Sequence, residues 1–286
     1  MAFEMSVVFP TDRLGQTALT AGLTPSANIS TDIRMSIPGQ SDSAERIYGE
    51  LRAGIARLEA QGDDRWQDVS RNRTVKARQL VSGDDPEGGF WIVTLMTGWA
   101  IRYRLLPDGR RQILQFLIPG DVINLNRLFA APGEDIVQTV TECSLQEYGG
   151  EAATEVARSD VALLADLLRH QICEVRRLED RLVDLGRRFA EERIAGLVLE
   201  LHGRLRDRGL ANDEAFHLPV RQEHLADALG MTPVHVSRTL RSMRDDDLLS
   251  IDHSMLRIHS FARLAAIAGY QQIAHSSGTG TGGADD

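Results

Sequence analysis

The chain of 286 residues has few cysteines and no cluster of metal-binding side chains. Cys143 and Cys173 are its only cysteines, and they form neither a CxxC motif nor a disulfide framework. Two thiols also exclude a four-cysteine iron–sulfur cluster built within one chain. The eight histidines show neither an HExxH motif nor a Cys/His zinc spacing, so the sequence predicts no metal site and no cofactor.

Other common signatures are missing as well. No GxSxG motif or Walker loop is present, and no constellation of residues supports an enzyme. The first residues, MAFEMSVVFPTDR, lack the basic region and apolar core of a signal peptide, and no apolar run approaches the roughly 20 residues that span a bilayer. These absences predict a cytoplasmic protein without a membrane partner.

Lysine is nearly absent, because Lys76 is the only lysine among 32 basic residues. The net charge of −9 argues against indiscriminate coating of nucleic acid. The arginines are nevertheless segregated from the acids, and guanidinium groups suit contacts with phosphate and guanine. The overall charge is therefore compatible with a local basic surface.

The chain begins with a predicted extension at residues 1–64. Residues 1–43 mix Thr, Ser, Gly, Pro and Asn with scattered apolar residues, so they are predicted to be irregular. Apolar side chains then recur at steps of four, four and three, at Ile47, Leu51, Ile55 and Leu58. This spacing predicts a helix over 43–61, which we expect to pack on the domain that follows.

Residues 65–153 change character and favour β-structure. Four β-branched and aromatic segments are separated by turn signals, at 75–81, 90–106, 111–118 and 136–148. Pro107-Asp108-Gly109 predicts a hairpin turn, and Pro119-Gly120-Asp121 predicts a second turn. Short strands at near-regular spacing predict a small antiparallel barrel or jelly roll, with Cys143 in its core.

Residues 154–190 predict a long dimerisation helix. Apolar side chains fill two heptad positions over four heptads, at Val161, Leu164, Leu168, Val175, Leu178, Leu182, Leu185 and Phe189. One helix cannot bury such a seam, so we predict a parallel homodimer; the alternative is a helix packed wholly within its own chain. His170 is expected at the solvated surface beside the seam, and Cys173 on the side away from it.

Residues 191–273 predict a winged helix-turn-helix. A first short helix carries three apolar residues, Leu225, Ala226 and Leu229. Gly230 provides the turn, because glycine takes positive φ most easily. Thr232 and Pro233 then occupy the N-cap and first helical positions of a second helix that ends near Arg244.

The second helix has two distinct faces. Val236, Leu240 and Met243 are predicted to pack on the first helix, while the opposite face is rich in arginine. Two strand-like segments around residues 252–254 predict the wing, and a last helix follows. Residues 274–286 form a low-complexity tail that is predicted to be disordered.

This order of barrel, long helix and winged helix-turn-helix resembles the Crp/Fnr family of bacterial transcription regulators over roughly residues 65–270. The segments that carry the resemblance are GWAIRYRLLPDGRRQILQFLIPGDVI and RQEHLADALGMTPVHVSRTLRSMRDDDLL. It implies an α+β fold with a cyclic-nucleotide-binding-like sensor domain, and a two-fold dimer on palindromic double-stranded DNA. Transcription activation would also require RNA polymerase as a partner, for which the loop Arg206–Glu214 is a candidate.

The sequence departs from the cyclic-AMP-binding members of this family. Those members carry Gly-Glu after the second turn and Arg-Ser/Thr further on, which hold the ribose hydroxyl and the cyclic phosphate. Here the Glu position falls on about Leu125, and two acids, Glu134 and Asp135, stand where the cation is expected. Acids repel a phosphate, so cyclic-AMP binding is not predicted. Residues 1–60 contain no cysteine, which also excludes the iron–sulfur branch.

The second helix is predicted to read DNA. Arg238 is expected to pair with guanine O6 and N7. The family places Glu four residues earlier, where this chain has Val234, whose methyl groups are expected to touch a thymine methyl and to alter the half-site. The other predicted contacts to bases or phosphates are Arg221, Gln222, Thr232, His235, Ser237 and Arg241.

Other functions stay open at this point. The regulator could be gated by a small molecule other than cyclic AMP, or it could be constitutively competent and controlled by abundance or by a partner that binds the extension. The winged helix could also serve protein–protein contact only.

Overall fold

The computed structural model describes residues 40–60, 69–81, 90–129 and 136–269. The segment 1–39 and the tail predicted at 274–286 lie outside the described residues. The helices are α1 (Gln40–Glu59), a 3-10 helix (Leu125–Phe129), α2 (Gly150–Ser159), α3 (Val161–Arg187), α4 (Ala190–Asp207), α5 (Gln222–Leu229), α6 (Pro233–Asp245) and α7 (Phe261–Ile267). The strands are β1 (Ser70–Val75), β2 (Trp91–Thr97), β3 (Ala100–Leu105), β4 (Arg111–Leu117), β5 (Val122–Ile123), β6 (Ile136–Thr139), β7 (Cys143–Gly149), β8 (Ala215–His217), β9 (Leu249–Asp252) and β10 (Met255–Ile258).

The sensor domain contains two antiparallel sheets, with the strand orders β1-β7-β2-β5 and β4-β3-β6. Side chains from both sheets meet in one core, including Val93 and Leu145 from the first and Leu117 from the second. The predicted antiparallel β-structure is confirmed. The first strand, however, is Ser70–Val75 rather than 75–81, because the chain turns at Arg78, whose φ is +64°.

Both predicted turns are present in this domain. Gly109 has a φ of +85° in the hairpin between β3 and β4. Gly120 has a φ of +93°, and the backbone N–H of Asp121 donates to the carbonyl of Ile118 at 3.0 Å. Glycine occupies this left-handed region without the steric penalty of a Cβ atom. The second turn fixes Asp121 at the edge of the sensor domain that faces α4.

The single helix predicted over 154–190 is wrong, because the chain breaks at Asp160 and again at Arg188–Phe189. Asp160 has extended backbone angles, and its carboxylate accepts the backbone N–H groups of Ala162 at 2.9 Å and Leu163 at 3.1 Å. An aspartate in this position satisfies donors that a new helix leaves free. It therefore starts α3 as a separate helix after α2.

The helix predicted at 43–61 is present as α1 and packs against α2 and α3. Its Ile47, Leu51 and Ile55 are buried in a cluster with residues of both helices. Gly54 lies on the same side, and a Cβ atom there would come within 2.3 Å of the Cγ1 atom of buried Val156. The close approach of α1 to α2 therefore depends on the missing side chain at Gly54.

We expect Gly54→Ala to destabilise the protein relative to Gly49→Ala, although both substitutions raise helix propensity by up to about 1 kcal/mol. A methyl group at Gly49 would have no atom within 4 Å, whereas a methyl group at Gly54 would meet Val156. Overpacking of a filled core costs about 1–3 kcal/mol. Urea unfolding of the two variants measures the difference, and equal stabilisation by both would show that α1 shifts freely on α2.

The C-terminal domain is a winged helix-turn-helix with a three-stranded sheet in the order β8-β10-β9. Gly230, with a φ of +62°, joins α5 to α6 as predicted. β9 and β10 form the wing, and its turn carries His253 and Ser254 at positive φ. Strand β8 was not predicted, because its three residues are too few to show an alternating pattern.

The sensor domain and the C-terminal domain share one hydrophobic core. Ile113 and Phe116 of β4 are buried in the same cluster as Leu225 and Leu229 of α5. Polar contacts join the same elements, since the Arg111 guanidinium lies 2.5 Å from the carboxylate of Asp227 and Gln112 donates to the Ala228 carbonyl at 3.2 Å. The helix-turn-helix is thus held directly against strand β4.

Candidate DNA-binding surface

Helix α6 is anchored by a capped N-terminus and a buried apolar face. The hydroxyl of Thr232 accepts the backbone N–H of His235 at 3.2 Å, and Pro233 occupies the first turn. Val236 and Met243 are fully buried, while Leu240 is half-buried against the same core. These contacts fix the rotation of α6 and turn its arginine-rich face outward.

Five of the eight predicted DNA contacts line one shallow groove of about 430 Å³ between α5 and α6: Gln222, Val234, Ser237, Arg238 and Arg241. Val234 is 68% exposed, so its methyl groups are accessible in the groove. Arg238 and Arg241 are exposed as well. The groove therefore combines two guanidinium groups with one apolar contact.

The remaining three predicted contacts lie outside this groove. Thr232 serves as the N-cap of α6. His235 faces a separate groove beside Phe189 and α7. Arg221 precedes α5 and lines a cleft toward the sensor domain.

The predicted seam forms an exposed apolar stripe along α3. Its exposed members have between 41% and 80% of their surface accessible: Val161, Leu164, Leu168, Val175, Leu178, Leu182 and Phe189. Leu185 is half-buried. Phe189 lies beyond the end of α3, where its backbone N–H donates to the Glu192 carboxylate at 2.6 Å and starts α4. The described part of the chain therefore leaves this face of α3 uncovered.

The opposite face of α3 is buried, and this corrects the prediction for His170. The His170 side chain is 6% exposed instead of solvated. Burial lowers the pKa of His170 to about 4, so the imidazole is neutral at pH 7. Cys173 is partly buried on the same helix, and Cys143 is buried in the sensor core as predicted. Burial raises the pKa of the Cys143 thiol to about 11, which leaves it protonated.

A buried ionic cluster joins the sensor domain to α4. The Asp121 carboxylate lies 2.5 Å from Arg204 and 2.7 Å from Arg208, and Arg208 also donates to the Pro119 carbonyl at 2.8 Å. Burial alone raises the pKa of the Asp121 carboxyl, but the two arginines outweigh it and hold that pKa well below its usual range. Glu200 extends the cluster by pairing with Arg181 of α3 at 2.9 Å.

Sequence reasoning missed Arg204 and Arg208. Their spacing of four places them on one side of α4, and both side chains are less than 10% exposed. The available signal was that both arginines share a helix face with buried apolar residues. Charges buried in this way need partners, so the pattern indicates an ionic cluster.

The sensor domain shows two further features that concern ligands. Leu125, at the position where cyclic-AMP-binding members carry Glu, is buried in an apolar cluster with α1 and α2. The acids Glu134 and Asp135 lie outside the described residues. Within the described part of the chain, no group of three or more His, Cys, Asp or Glu side chains is placed to hold a metal ion. No helix among the same residues is long and apolar enough to cross a membrane.

The comparisons with known proteins agree with this architecture. Residues 192–267 match the model of the Crp-like helix-turn-helix domain. The nitrogen fixation regulation protein FixK of Bradyrhizobium diazoefficiens is 33% identical over 170 residues, which are 58% of this chain and 69% of that protein. The transcriptional activatory protein AadR of Rhodopseudomonas palustris is 32% identical over 186 residues, which are 62% of this chain and 73% of that protein.

Solved structures show the same fold. The structure of FixK2 from Bradyrhizobium japonicum superposes with a TM-score of 0.61 at 28% identity, over 70% of this chain and 97% of that one. The two chains therefore share their fold over this length. The chain belongs to the Crp/Fnr family of transcription regulators.

Proposed function

We propose that the protein acts in the cytoplasm as a homodimer that binds an inverted-repeat DNA site, with one α6 in the major groove of each half-site. The observation that carries this proposal is the groove that brings Arg238, Arg241 and Val234 together on the outer face of a capped helix. A helix of this kind fits the major groove, where base edges present distinct donors and acceptors.

Within a half-site each groove residue has a defined task. Arg238 donates both ends of its guanidinium to guanine O6 and N7. Val234 packs on a thymine methyl, since it carries no acceptor for cytosine. Arg241 and the N-terminus of α6 beside Thr232 hold phosphates, and Gln222 at the start of α5 adds a contact to the backbone. Ser237 and His235 are secondary contacts.

The dimer sets the distance between the two α6 helices. The exposed stripe on α3 pairs with the same stripe of a second copy, which buries side chains that water otherwise surrounds. Two-fold symmetry then places the α6 helices about 34 Å apart, in successive turns of the major groove. An inverted repeat follows from this symmetry.

We expect Arg238→Ala to weaken binding to the cognate site by about 1–3 kcal/mol and to relax selection at one base pair. Fluorescence anisotropy on duplexes found by random-site selection measures both effects. Arg244→Ala is the matched control, because Arg244 lies on the same helix outside the groove and pairs with Asp245 at 3.7 Å. Equal losses on cognate and scrambled DNA would show that Arg238 contacts phosphate only, and failure to select any DNA would refute the proposal itself.

Gating by an effector other than cyclic AMP is a second candidate function. The shared core and the Asp121 cluster favour it, because a ligand that moves the sensor strands also moves α4 and α5. Thermal shift with a panel of nucleotides and metabolites, followed by DNA binding with each hit, tests this gating. A regulator whose DNA affinity no compound changes is constitutively competent.

Contact of the loop Arg206–Glu214 with RNA polymerase is a further proposal, and crosslinking of a DNA-bound complex tests it.

A further inference from the structure

The exposed apolar stripe on α3 is interrupted by one polar side chain, that of Gln171. The stripe consists of two rows in which residues recur every seven positions. Gln171 stands in the second row, seven residues after Leu164 and seven before Leu178. These two leucines are 42% and 41% exposed, and Gln171 is itself partly buried. A carboxamide therefore lies where the seven-residue pattern predicts another leucine.

The Gln171 side chain has no hydrogen-bond partner among the described residues of its own chain. The adjacent polar side chains on the opposite face of α3 are engaged elsewhere. His170 is buried, and the Glu174 carboxylate accepts the side chain of Gln115 at 3.2 Å. The carboxamide carries an NH₂ donor and a carbonyl acceptor, which water satisfies in the single chain. A second copy that covers the stripe removes this water.

A second copy of the chain offers Gln171 a polar partner in only one arrangement. In a parallel, unstaggered pair of helices, each residue of a row faces the same residue of the other copy. Gln171 then lies opposite Gln171 of the partner subunit. Each carboxamide can donate to the carbonyl oxygen of the other, so both are satisfied without water.

Other arrangements place the Gln171 carboxamide against hydrocarbon. A stagger of one heptad brings it opposite Leu164 or Leu178 of the other copy. In an antiparallel pair the second row faces the first row, whose members are all apolar: Val161, Leu168, Val175, Leu182 and Phe189. A buried amide without a partner loses the hydrogen bonds that it made with water. Gln171 therefore disfavours every arrangement except the parallel, unstaggered one.

A staggered dimer would also misplace the two α6 helices. An α-helix rises 1.5 Å per residue, so a shift of one heptad moves one copy by about 10 Å along the seam. Helix α6 moves with its own chain, because Val236 and Met243 are buried in the core that α4 and α5 share with the sensor domain. A displacement of this size breaks the two-fold symmetry that an inverted repeat requires.

We propose that Gln171 pairs with Gln171 of the partner subunit across the α3 seam and fixes the parallel, unstaggered register of the homodimer. The inference rests on the proposed function, because it requires the seam to join two copies. It assigns to one residue the selection among dimers that an apolar seam alone distinguishes poorly. The pair weakens the seam relative to two leucines, so specificity is obtained at the expense of dimer stability.

Subunit exchange tests whether Gln171 faces its own copy. Unmodified protein is mixed with mass-tagged Gln171→Leu protein, and native mass spectrometry measures the dimers after equilibration. Exchange without preference makes one half of all dimers mixed. We expect a clearly smaller fraction, because a mixed dimer leaves one carboxamide facing leucine. Tagged Val183→Gln protein is the control, and it should exchange statistically because Val183 is exposed outside the seam.

Disulfide crosslinking in a Cys173→Ser background tests the register. A crosslink between two Val175→Cys copies reports the unstaggered dimer, whereas a crosslink between a Val175→Cys copy and a Leu182→Cys copy reports a stagger of one heptad. We expect only the first crosslink when Gln171 is present. Gln171→Leu should permit both crosslinks, and its dimer should dissociate with a Kd lower by about tenfold or more.

Statistical exchange between the unmodified and Gln171→Leu proteins would overturn the proposal, because Gln171 would then not face its own copy. The same crosslinks in both backgrounds would overturn it as well, since the register would not depend on Gln171. An unmodified protein that is monomeric in light scattering would instead refute the homodimer of the proposed function. The two failures are therefore distinguishable.

Discussion

Asp121→Asn is expected to lower the free energy of unfolding by about 3–5 kcal/mol, the range for breaking a buried pair by removing one partner. The substitution keeps the size of the side chain but removes the charge that Arg204 and Arg208 face at 2.5 and 2.7 Å. All three side chains are less than 10% exposed, so water cannot replace the lost carboxylate. Urea unfolding followed by tryptophan fluorescence and circular dichroism measures the loss.

The control for this variant is Asp108→Asn. Asp108 pairs with Arg110 at 2.7 Å in the hairpin between β3 and β4, but both side chains are more than half exposed. Solvent screens an exposed pair of this kind, so this variant should unfold close to the unmodified protein. Similar small losses for both variants would show that the buried cluster rearranges around the amide and does not hold the domains together.

The pH dependence of the same cluster has a defined sign. The folded-state pKa of Asp121 is depressed below the ordinary value of 3.8, so the ionised carboxylate stabilises the folded state. This contribution is fully present above pH 3.8 and is lost as the pH falls below that value toward the folded-state pKa. The free energy of unfolding of Asp121→Asn should therefore fall less steeply with decreasing pH in this range than that of the unmodified protein.

The location of this cluster links stability to function. Asp121 belongs to a turn of the sensor domain, while Arg204 lies in α4 and Arg208 is the C-cap residue of that helix. Any shift of the turn must carry α4 with it or separate buried charges. The cluster and the shared apolar core thus make the two domains one mechanical unit, which is what effector gating through the sensor sheets would require.

Helix α6 could be predicted from the sequence because its determinants are local. Gly230, Thr232 and Pro233 lie within four residues of one another, and each acts on its own turn or first helical turn. The alternation of apolar and basic positions then fixes which face is exposed. The two turns at Gly109 and Gly120 were predictable for a similar reason, since each contains its own glycine at positive φ.

The buried cluster could not be predicted in this way. Asp121 and Arg204 are 83 residues apart, and composition does not indicate which acid meets which arginine. The burial of His170 could not be predicted either. A heptad pattern indicates how far a residue lies from the seam, but not what packs against the opposite face of the helix. The opposite face of α3 is buried by the chain's own sensor strands and α4. Gln115 of β4 contacts Glu174 of α3, and Arg181 of α3 contacts Glu200 of α4.

Leu182→Glu is expected to convert the proposed dimer into a monomer and to weaken binding to the proposed inverted repeat by about 10²–10⁴-fold, the gain that linking two half-site contacts provides. Leu182 is a seam residue that is 72% exposed, so the carboxylate is solvated in the single chain. In a parallel dimer it would lie beside its own copy, where two desolvated like charges repel. Light scattering after size exclusion measures the mass, and anisotropy measures the affinity for the full site and for a single half-site.

Val183→Glu is the matched control, because Val183 is an adjacent apolar residue that is 49% exposed but lies outside the seam positions. We expect this variant to stay dimeric and to bind the inverted repeat normally. Circular dichroism should show unchanged helix content in both variants, since both positions are exposed in the single chain. A Leu182→Glu protein that remains dimeric would place the dimer interface elsewhere. A monomeric protein that still prefers the full inverted repeat over one half-site would show instead that DNA itself assembles the two copies, and the seam would lose its role in setting the spacing of about 34 Å expected for the half-sites.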